Sequence, residues 1–139
     1  MNRTSFDQDN ILYEKLNGST QLKAAITGDV YKMIRPDGSK KEDVVINTIS
    51  VLDGSIQLGV SNVNIHVADI DQSNGTAKYK APDTSRLKQL TDIIYPLLED
   101  VFGSSYRFWI ASQSTIREPE TKQHYVNLRI NFRHHHSQY

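Results

Sequence analysis

The sequence contains no cysteine among its 139 residues. A disulfide framework, a zinc site built from thiolates and a cysteine nucleophile are therefore all excluded. An excess of one charge is missing as well, because 16 lysine and arginine residues are balanced by 16 aspartate and glutamate residues. A dedicated nucleic-acid binder usually presents a broad electropositive field. Any charged contact that this protein makes must therefore be local.

Long hydrophobic runs are also absent. No stretch reaches the ~18 consecutive apolar residues that a membrane-spanning helix requires. The opening segment, MNRTSFDQDN, is polar and lacks the apolar core of a secretory signal. We therefore expect a soluble, intracellular protein without membrane contact. The length is that of one domain, so we expect residues 1–139 to form a single domain.

Residue patterns that carry catalysis are scarce. No serine lies in a nucleophile-elbow context, and no glycine-rich segment resembles a phosphate-binding loop. His66 falls on the polar side of its predicted strand, where a histidine is more often solvated or hydrogen-bonded than a general base. We therefore expect no enzymatic activity, no catalytic residue, no cofactor and no small-molecule substrate.

Two segments raise the question of a metal site. Residues 69–75, DIDQSNG, offer oxygen ligands at the first, third and fifth positions of a calcium loop, but the glycine comes one place late and Lys80 occupies the twelfth position. The same residue types gather at ordinary turns, so we interpret this segment as the end of a strand. We expect the run His134, His135 and His136 to belong to a frayed, solvated terminus rather than to a metal site.

The first residues predict two short helices. Asn10 is placed to cap the first helix, and Gly18 suits the left-handed residue that follows a helix end. Ser19 is placed to cap the second helix, which Gly28 closes.

Three strands are predicted next. The first lies near residues 30–34 and the second over 44–52, with the turn chemistry of RPDGS between them. In the third strand, over 56–67, the apolar residues shift from even to odd positions near Ser61 and Asn62. Because side chains alternate faces along a strand, this shift predicts a β-bulge there.

The clearest helix follows in APDTSRLKQLTDIIYPLLEDVFG. Its apolar residues fall along one stripe at helical spacing: Leu87, Leu90, Ile94, Leu97, Leu98 and Val101. Gly103 is the expected stop. Pro96 lies inside the pattern, so we expect the helix to kink or divide there.

Two strands end the chain, and the last one shows a strict alternation. Its apolar residues are Val126, Leu128, Ile130 and Phe132. The residues between them are Asn127, Arg129, Asn131 and Arg133. This pattern predicts an antiparallel strand with one buried face and one wet or partner-facing face.

The predicted order α-β-β-β-α-β-β favours an α+β domain. We expect a mainly antiparallel sheet of four to five strands with helices packed on it. Residues 69–82 are expected to form a flexible connection, and residues 134–139 a frayed C-terminus.

Two sets of residues are candidate contact surfaces. One is the basic loop RPDGSKK, with Arg35, Lys40 and Lys41. The other is the polar face of the last strand, formed by Asn127, Arg129, Asn131 and Arg133. Solvated loop charges are the simpler interpretation of the first set. The functional interpretation is contact with an acidic protein surface or a phosphate backbone.

The segment ILYEKLNGSTQLKAAITGDVYKMIRPDGSKKEDVVINTIS resembles the opening of the small tail-completion or tail-terminator proteins of long-tailed bacteriophages and prophages. The shared elements are a short helix with LYEKL, an ITGDVY segment, a proline-containing loop and a strand of the VVIN kind. The IHVADI strand, the leucine-bearing helix and the alternating last strand follow in the same order. The long connection before that helix and Pro96 depart from the family pattern.

This resemblance implies a structural protein of head-tail joining. Such subunits assemble as a homo-oligomeric ring, typically a hexamer, at the head-proximal end of the tail tube. The ring halts tube growth and offers a surface to the head connector, so tail tube and head-connector proteins are the expected partners. We would then expect a virion component that is made in the cytoplasm of a bacterial host.

A second interpretation is a double-stranded RNA binding module, because helix, three strands and helix is also the order of that module. Such a domain contacts phosphates across two minor grooves and needs clustered lysines. Here the long helix begins with DTSRLKQL, which offers Arg86 and Lys88 after an acidic cap. Zero net charge and two further strands also count against this alternative.

Overall fold

The computed structural model describes residues 2–135, which form three helices and eight strands. The helices are α1 (Ser5–Asn17), α2 (Thr20–Ala25) and α3 (Thr84–Leu98). The strands are β1 (Val30–Lys32), β2 (Val44–Val51), β3 (Ile56–Ala68), β4 (Ile70–Ser73), β5 (Lys78–Ala81), β6 (Asp100–Phe102), β7 (Tyr106–Glu118) and β8 (Gln123–His135).

Six of the strands form one sheet in the order β1-β2-β3-β8-β7-β6. β1 runs parallel to β2, and the other neighbours are antiparallel. The prediction of a mainly antiparallel α+β fold is confirmed, but four to five strands were too few. The observed order, α-α-β-β-β-β-β-α-β-β-β, matches the predicted α-β-β-β-α-β-β only roughly. β6 was missed because it has three residues and follows α3 directly. β4 and β5 form a separate two-stranded hairpin.

The hydrophobic core lies between the helices and one face of the six-stranded sheet. The helices contribute Leu12, Leu16, Leu22, Leu87, Leu90, Ile94 and Leu98. The sheet contributes Val44, Ile46, Val63, Ile65, Phe108, Val126, Leu128, Ile130 and Phe132. Burial recurs every second residue along β8 and every three or four residues along α3, as the sequence periods predict. None of the helices within residues 2–135 is long and apolar enough to cross a membrane.

The first helix begins earlier than the sequence pattern suggested. Thr4 is its N-cap: the Thr4 side chain accepts a hydrogen bond from the Asp7 amide, and the Asp7 carboxylate accepts one from the Thr4 amide at 2.8 Å. This reciprocal pair is a capping box. The prediction of a cap at Asn10 was therefore wrong. Gly18 has φ −78°, so the left-handed conformation expected of it is not adopted. The Ser19 cap of α2 is confirmed.

The expected bulge lies on a different strand. β3 pairs with β8 without interruption from Ile56 to Ala68. The register shift lies in β2, between Thr48 and Ser50. β3 needs no bulge because Leu58 faces away from the core and is 53% exposed. Polar Ser61 instead occupies a core-facing position.

Pro96 does not divide the main helix. α3 runs through it as one element and ends at Leu98 rather than at Gly103. The proline lies in the last turn, so its missing amide removes a hydrogen bond near the helix end and not at its centre. The buried stripe of α3 is then sufficient to hold the helix on the sheet.

Two expectations about irregular segments change. Residues 69–82 contain the β4–β5 hairpin, with Ile70 paired to Ala81, where a flexible connection was expected. Fraying from residue 134 was also wrong, because β8 continues to His135 and His134 is fully buried. His134 stacks on Phe132, with ring centroids 5.1 Å apart. The remainder of the expected frayed segment, residues 136–139, lies outside the described residues.

A polar network lies inside the core beneath α1. Gln8 is fully buried, and its Nε2 donates to Ser61 Oγ at 2.7 Å. Its Oε1 lies 2.8 Å from Nε2 of His134. Gly59 passes directly beneath this amide, so that an added Cβ would lie 2.0 Å from Gln8 Oε1. The network joins α1 to β3 and β8, and it requires a glycine at the crossing.

Gly59→Ala should destabilise the fold by about 1–3 kcal/mol, because the added methyl group overlaps the Gln8 amide in a packed interior. Gln8→Ala removes that amide, so Gly59→Ala should lower the free energy of unfolding by less in the Gln8→Ala background than in the wild type. Urea unfolding of both single variants and the double variant measures the coupling. An equal cost in both backgrounds would show that Gln8 does not impose the glycine.

Candidate interaction surface

The outer face of the sheet is the face opposite the helices, and none of the described helices packs on it. The four residues predicted on the last strand all lie here, because alternate residues of β8 point the same way: Asn127, Arg129, Asn131 and Arg133. Their β3 neighbours across the ladder are Asn64, Asn62, Val60 and Leu58. The structure therefore brings the predicted strand residues together on one surface.

Hydrogen bonds order the side chains in the middle of the outer face. Asn127 donates from Nδ2 to Asn62 Oδ1 at 3.0 Å and to Asn64 Oδ1 at 2.7 Å. Arg129 donates from Nε to Asn62 Oδ1 at 3.0 Å. Asn127 is consequently buried among its neighbours, whereas Arg133 is exposed. A contact role for these residues stays a prediction.

Apolar groups stand beside this polar centre. Ile56 and Leu58 are about half exposed, and Phe102 of β6 is 72% exposed. The Arg107 guanidinium lies over the rings of both Phe102 and Trp109, 4.9 Å from each centroid. No sequence pattern marked these residues as a surface, although the RFW run in β7 is a signal for an aromatic cluster.

The three cations of the predicted basic loop have different surroundings in the structure. Lys40 and Lys41 are exposed. Arg35 is largely buried and forms ion pairs with Asp43 at 3.2 Å and with Glu118 at 3.1 Å. Its charge is therefore already balanced within the chain, which leaves the two lysines as the free cations of this group.

The Arg35 contacts form a charged cluster at one end of the sheet. Arg35 also donates to Gln123 Oε1 at 2.6 Å, and Glu118 Oε2 lies 2.9 Å from His66 Nδ1. That last contact is close but lacks the directional geometry of a hydrogen bond, so His66 Nδ1 has no hydrogen-bond partner within residues 2–135. The His66 ring packs against Tyr125, with centroids 4.8 Å apart. The cluster ties the β1–β2 loop to the ends of β3, β7 and β8.

This cluster lines a shallow depression of about 410 Å³ beneath residues 33–39. Burial lowers the pKa of His66 below its ordinary value of 6.5, and the positive charge of Arg35 lowers it further. Within residues 2–135, no serine, threonine or lysine is hydrogen-bonded to His66. The arrangement therefore holds a neutral histidine beside a carboxylate, without an aligned nucleophile.

The carboxylates of residues 69–75, the segment weighed above as a metal site, are paired with basic side chains. Asp69 lies 2.6 Å from His124 Nδ1, and Asp71 pairs with Lys80 at 2.7 Å. Across the described part of the chain, no group of three or more His, Asp or Glu side chains is arranged to hold a metal ion.

The cations that the RNA interpretation requires are also paired. Arg86 donates from Nε to Glu42 Oε2 at 2.7 Å and from a terminal nitrogen to Glu42 Oε1 at 2.8 Å. A further bond reaches the carbonyl of Ala25 at the end of α2. These bonds lower the pKa of Glu42. Lys88 pairs with Asp92 on the same helix.

Arg86→Lys should destabilise the fold by about 1–2 kcal/mol, because an ammonium group cannot reproduce the two-pronged contact with Glu42. Lys88→Ala is the matched control on the same helix turn, and its exposed ion pair should contribute below about 0.5 kcal/mol. Urea unfolding at neutral pH measures both. Similar losses for the two variants would contradict the structural role of Arg86.

Stability should fall as the pH is lowered from about 7.5 towards 5.5, because the unfolded chain gains a proton on His66 near pH 6.5 while the folded chain, with its lowered pKa, gains that proton only at lower pH. The slope contributed by one such group is at most about 1.4 kcal/mol per pH unit. His66→Gln should flatten this dependence, whereas Lys40→Gln, in the exposed loop, should keep it. An unchanged slope in His66→Gln, measured by urea unfolding across this range, would refute the assignment.

No protein-family model matches the chain, and no curated protein matches it either. Among solved structures, the chain is similar to a chain in a structure described as the virion of a native gene transfer agent (GTA) particle. The two chains are 14% identical, with a TM-score of 0.65, and the match covers 88% of this chain and 90% of the other. Nearly the whole fold is therefore shared with a chain of a virion particle.

Proposed function

We propose that this protein is a structural subunit of a phage-like particle, and that it forms a ring at the head-proximal end of the tail tube. The proposal rests on one combination of features. The fold is shared with a virion chain over 88% of this chain, and the described helices leave the outer face of the sheet uncovered. The tail-terminator assignment rests on the sequence resemblance, and the fold is compatible with it.

The geometry suits assembly better than catalysis. The outer face is broad and holds an ordered set of asparagine and arginine side chains. The ionisable groups that do converge, around Arg35 and His66, pair with one another and fasten loops to strand ends. We therefore propose a non-enzymatic role, in which shape and surface complementarity carry the function.

A ring requires two different surfaces on each subunit, because its contacts are head to tail. The outer face offers one such surface, with Arg129 and Arg133 beside exposed apolar residues. Lys40 and Lys41 of the basic loop lie at another place on the molecule. Since the formal net charge is zero, long-range repulsion between copies is small and self-association is permitted.

In this proposal the partners are further copies of the chain, the tail tube and the head connector. The subunit would be made in the cytoplasm of the bacterial host and would end as a virion component. A hexamer is the ring size implied by the resemblance.

The double-stranded RNA module remains the alternative, and the structure counts against it. Arg86 is held by Glu42, and Lys88 is paired with Asp92, so the first turns of α3 do not present free cations. An RNA-binding surface of this kind depends on such cations reaching phosphates.

Deleting the gene from the phage or prophage that encodes this chain should yield filled heads separated from tails, and tubes of irregular length, because nothing then ends tube growth. Electron microscopy of the lysate measures both effects, and supplying the gene in trans is the control. Normal joined particles from the deletion strain would refute the proposal. Filter binding of the purified protein to duplex RNA at two salt concentrations tests the alternative, and salt-sensitive binding would support it.

A further inference from the structure

The sheet has an open edge along most of β7. β6 pairs with β7 only from Arg107 to Trp109. No described strand pairs with the same side of β7 beyond that point, and residues 111–117 are exposed. Residues 112–116 contain neither charge nor proline. Edges of monomeric proteins are usually protected by such residues, because unpaired backbone groups attract another strand.

A groove lies beside this edge, between β7 and α3. It encloses about 660 Å³. Leu87 of α3 and Val126 of β8 contribute to its apolar lining, and Gln113 and Thr115 of β7 line it along the open edge. Lys88 and Asp92, which pair with each other, also line it on the α3 side. The buried Oγ1 of Thr91, which also lines the groove, has no hydrogen-bond partner. An open edge beside an apolar groove is the arrangement that accepts an added strand, whose backbone pairs with the edge while alternate side chains enter the groove.

The β4–β5 hairpin, which we call the arm, offers a strand of the required kind. Its two strands pair with each other and with no other strand in residues 2–135. The ladder places Ile70, Tyr79 and Ala81 on one face. Ile70 is 39% exposed and Tyr79 is 48% exposed. An isolated two-stranded hairpin is marginally stable in water, so the arm would be stabilised by a third strand and an apolar surface.

We propose that the arm of one copy docks on the β7 edge of a second copy, with Ile70 and Tyr79 entering the groove between β7 and α3. This inference rests on the proposed function, since it supplies the contact between neighbouring subunits of the ring.

The dimensions of the two parts agree. Each arm strand has four residues and spans about 13 Å at ~3.3 Å per residue. The open edge, residues 111–117, is longer, so one arm fits along it. The charged residues of the arm, Asp71, Lys78 and Lys80, lie on its opposite face and can stay in water.

A second copy of the chain is the occupant that the structure favours. Each subunit carries one arm and one open edge, and these are different surfaces. A contact between different surfaces is heterologous, and it repeats from copy to copy until the ring closes. In the described structure the arm does not pair with the β7 edge of its own chain, so both parts remain available to neighbours.

Cysteine crosslinking tests the contact directly, because the chain has no cysteine of its own. Full-length Tyr79→Cys should be mixed at ~1 mM with Thr115→Cys or, to allow for register, Gln113→Cys, and oxidised mildly. The mixed disulfide dimer should form about tenfold more than from Tyr79→Cys with Ser55→Cys, an exposed position in the β2–β3 turn. Mixed dimers no more abundant than in this control pair would overturn the proposal.

A charge placed at the edge gives a second, independent measurement. Thr115→Lys puts an ammonium group into the groove and should weaken self-association about tenfold in light scattering over a concentration series. Gln21→Lys adds the same charge at an exposed position of α2, away from both surfaces, and should leave self-association unchanged. Circular dichroism of both variants checks that they fold. Equal self-association of the two variants, or a wild type that stays monomeric at ~1 mM, would overturn arm docking.

The outcomes separate this inference from the proposed function. A defined oligomer without the arm crosslink would remove the docking contact and leave ring assembly in place. If the arm crosslink forms specifically but the deletion strain still produces joined particles, the docking contact is supported and the tail role is refuted.

Discussion

The described helices cover one face of the six-stranded sheet, and the rest of the molecule follows from that constraint. Side chains alternate between the faces of a strand, so every central strand must be apolar on one side and polar on the other. Along β8, Leu128 and Ile130 enter the core, while Asn127 and Arg129 join an ordered polar surface. Stability comes from the covered face, which leaves the opposite face and the strand edges free to make contacts.

Buried polar groups fix the two ends of this sheet. At one end, Gln8 joins α1 to Ser61 of β3 and His134 of β8. At the other end, Arg35 joins the β1–β2 loop to Glu118 at the end of β7. Partly satisfied polar groups would be costly in a core, whereas groups with partners hold neighbouring elements in one arrangement. The register of the sheet, and with it the position of the outer polar residues, is therefore set by polar contacts as well as by hydrophobic packing.

The exposed surfaces of the molecule differ in how completely their polar groups are paired. The outer face is ordered within the chain, because its amides and Arg129 are hydrogen-bonded to one another. The arm and the β7 edge are incomplete alone, since each exposes unpaired backbone and apolar side chains. A pre-ordered face loses less conformational entropy on binding, and an unpaired strand edge can accept an added strand. Both features support the assembly role proposed above.

The sequence by itself determined the fold class, the main helix and the alternating last strand, because each depends on the local period of apolar residues. It also placed Asn127 and Arg133 on one face before any contact was known. It did not reveal the β4–β5 hairpin, whose short polar strands lack that period, or the burial of Arg35, whose partners are distant in the sequence. Only the tertiary structure decided that His134 is buried and that β7 keeps an open edge, because both depend on which strands become neighbours.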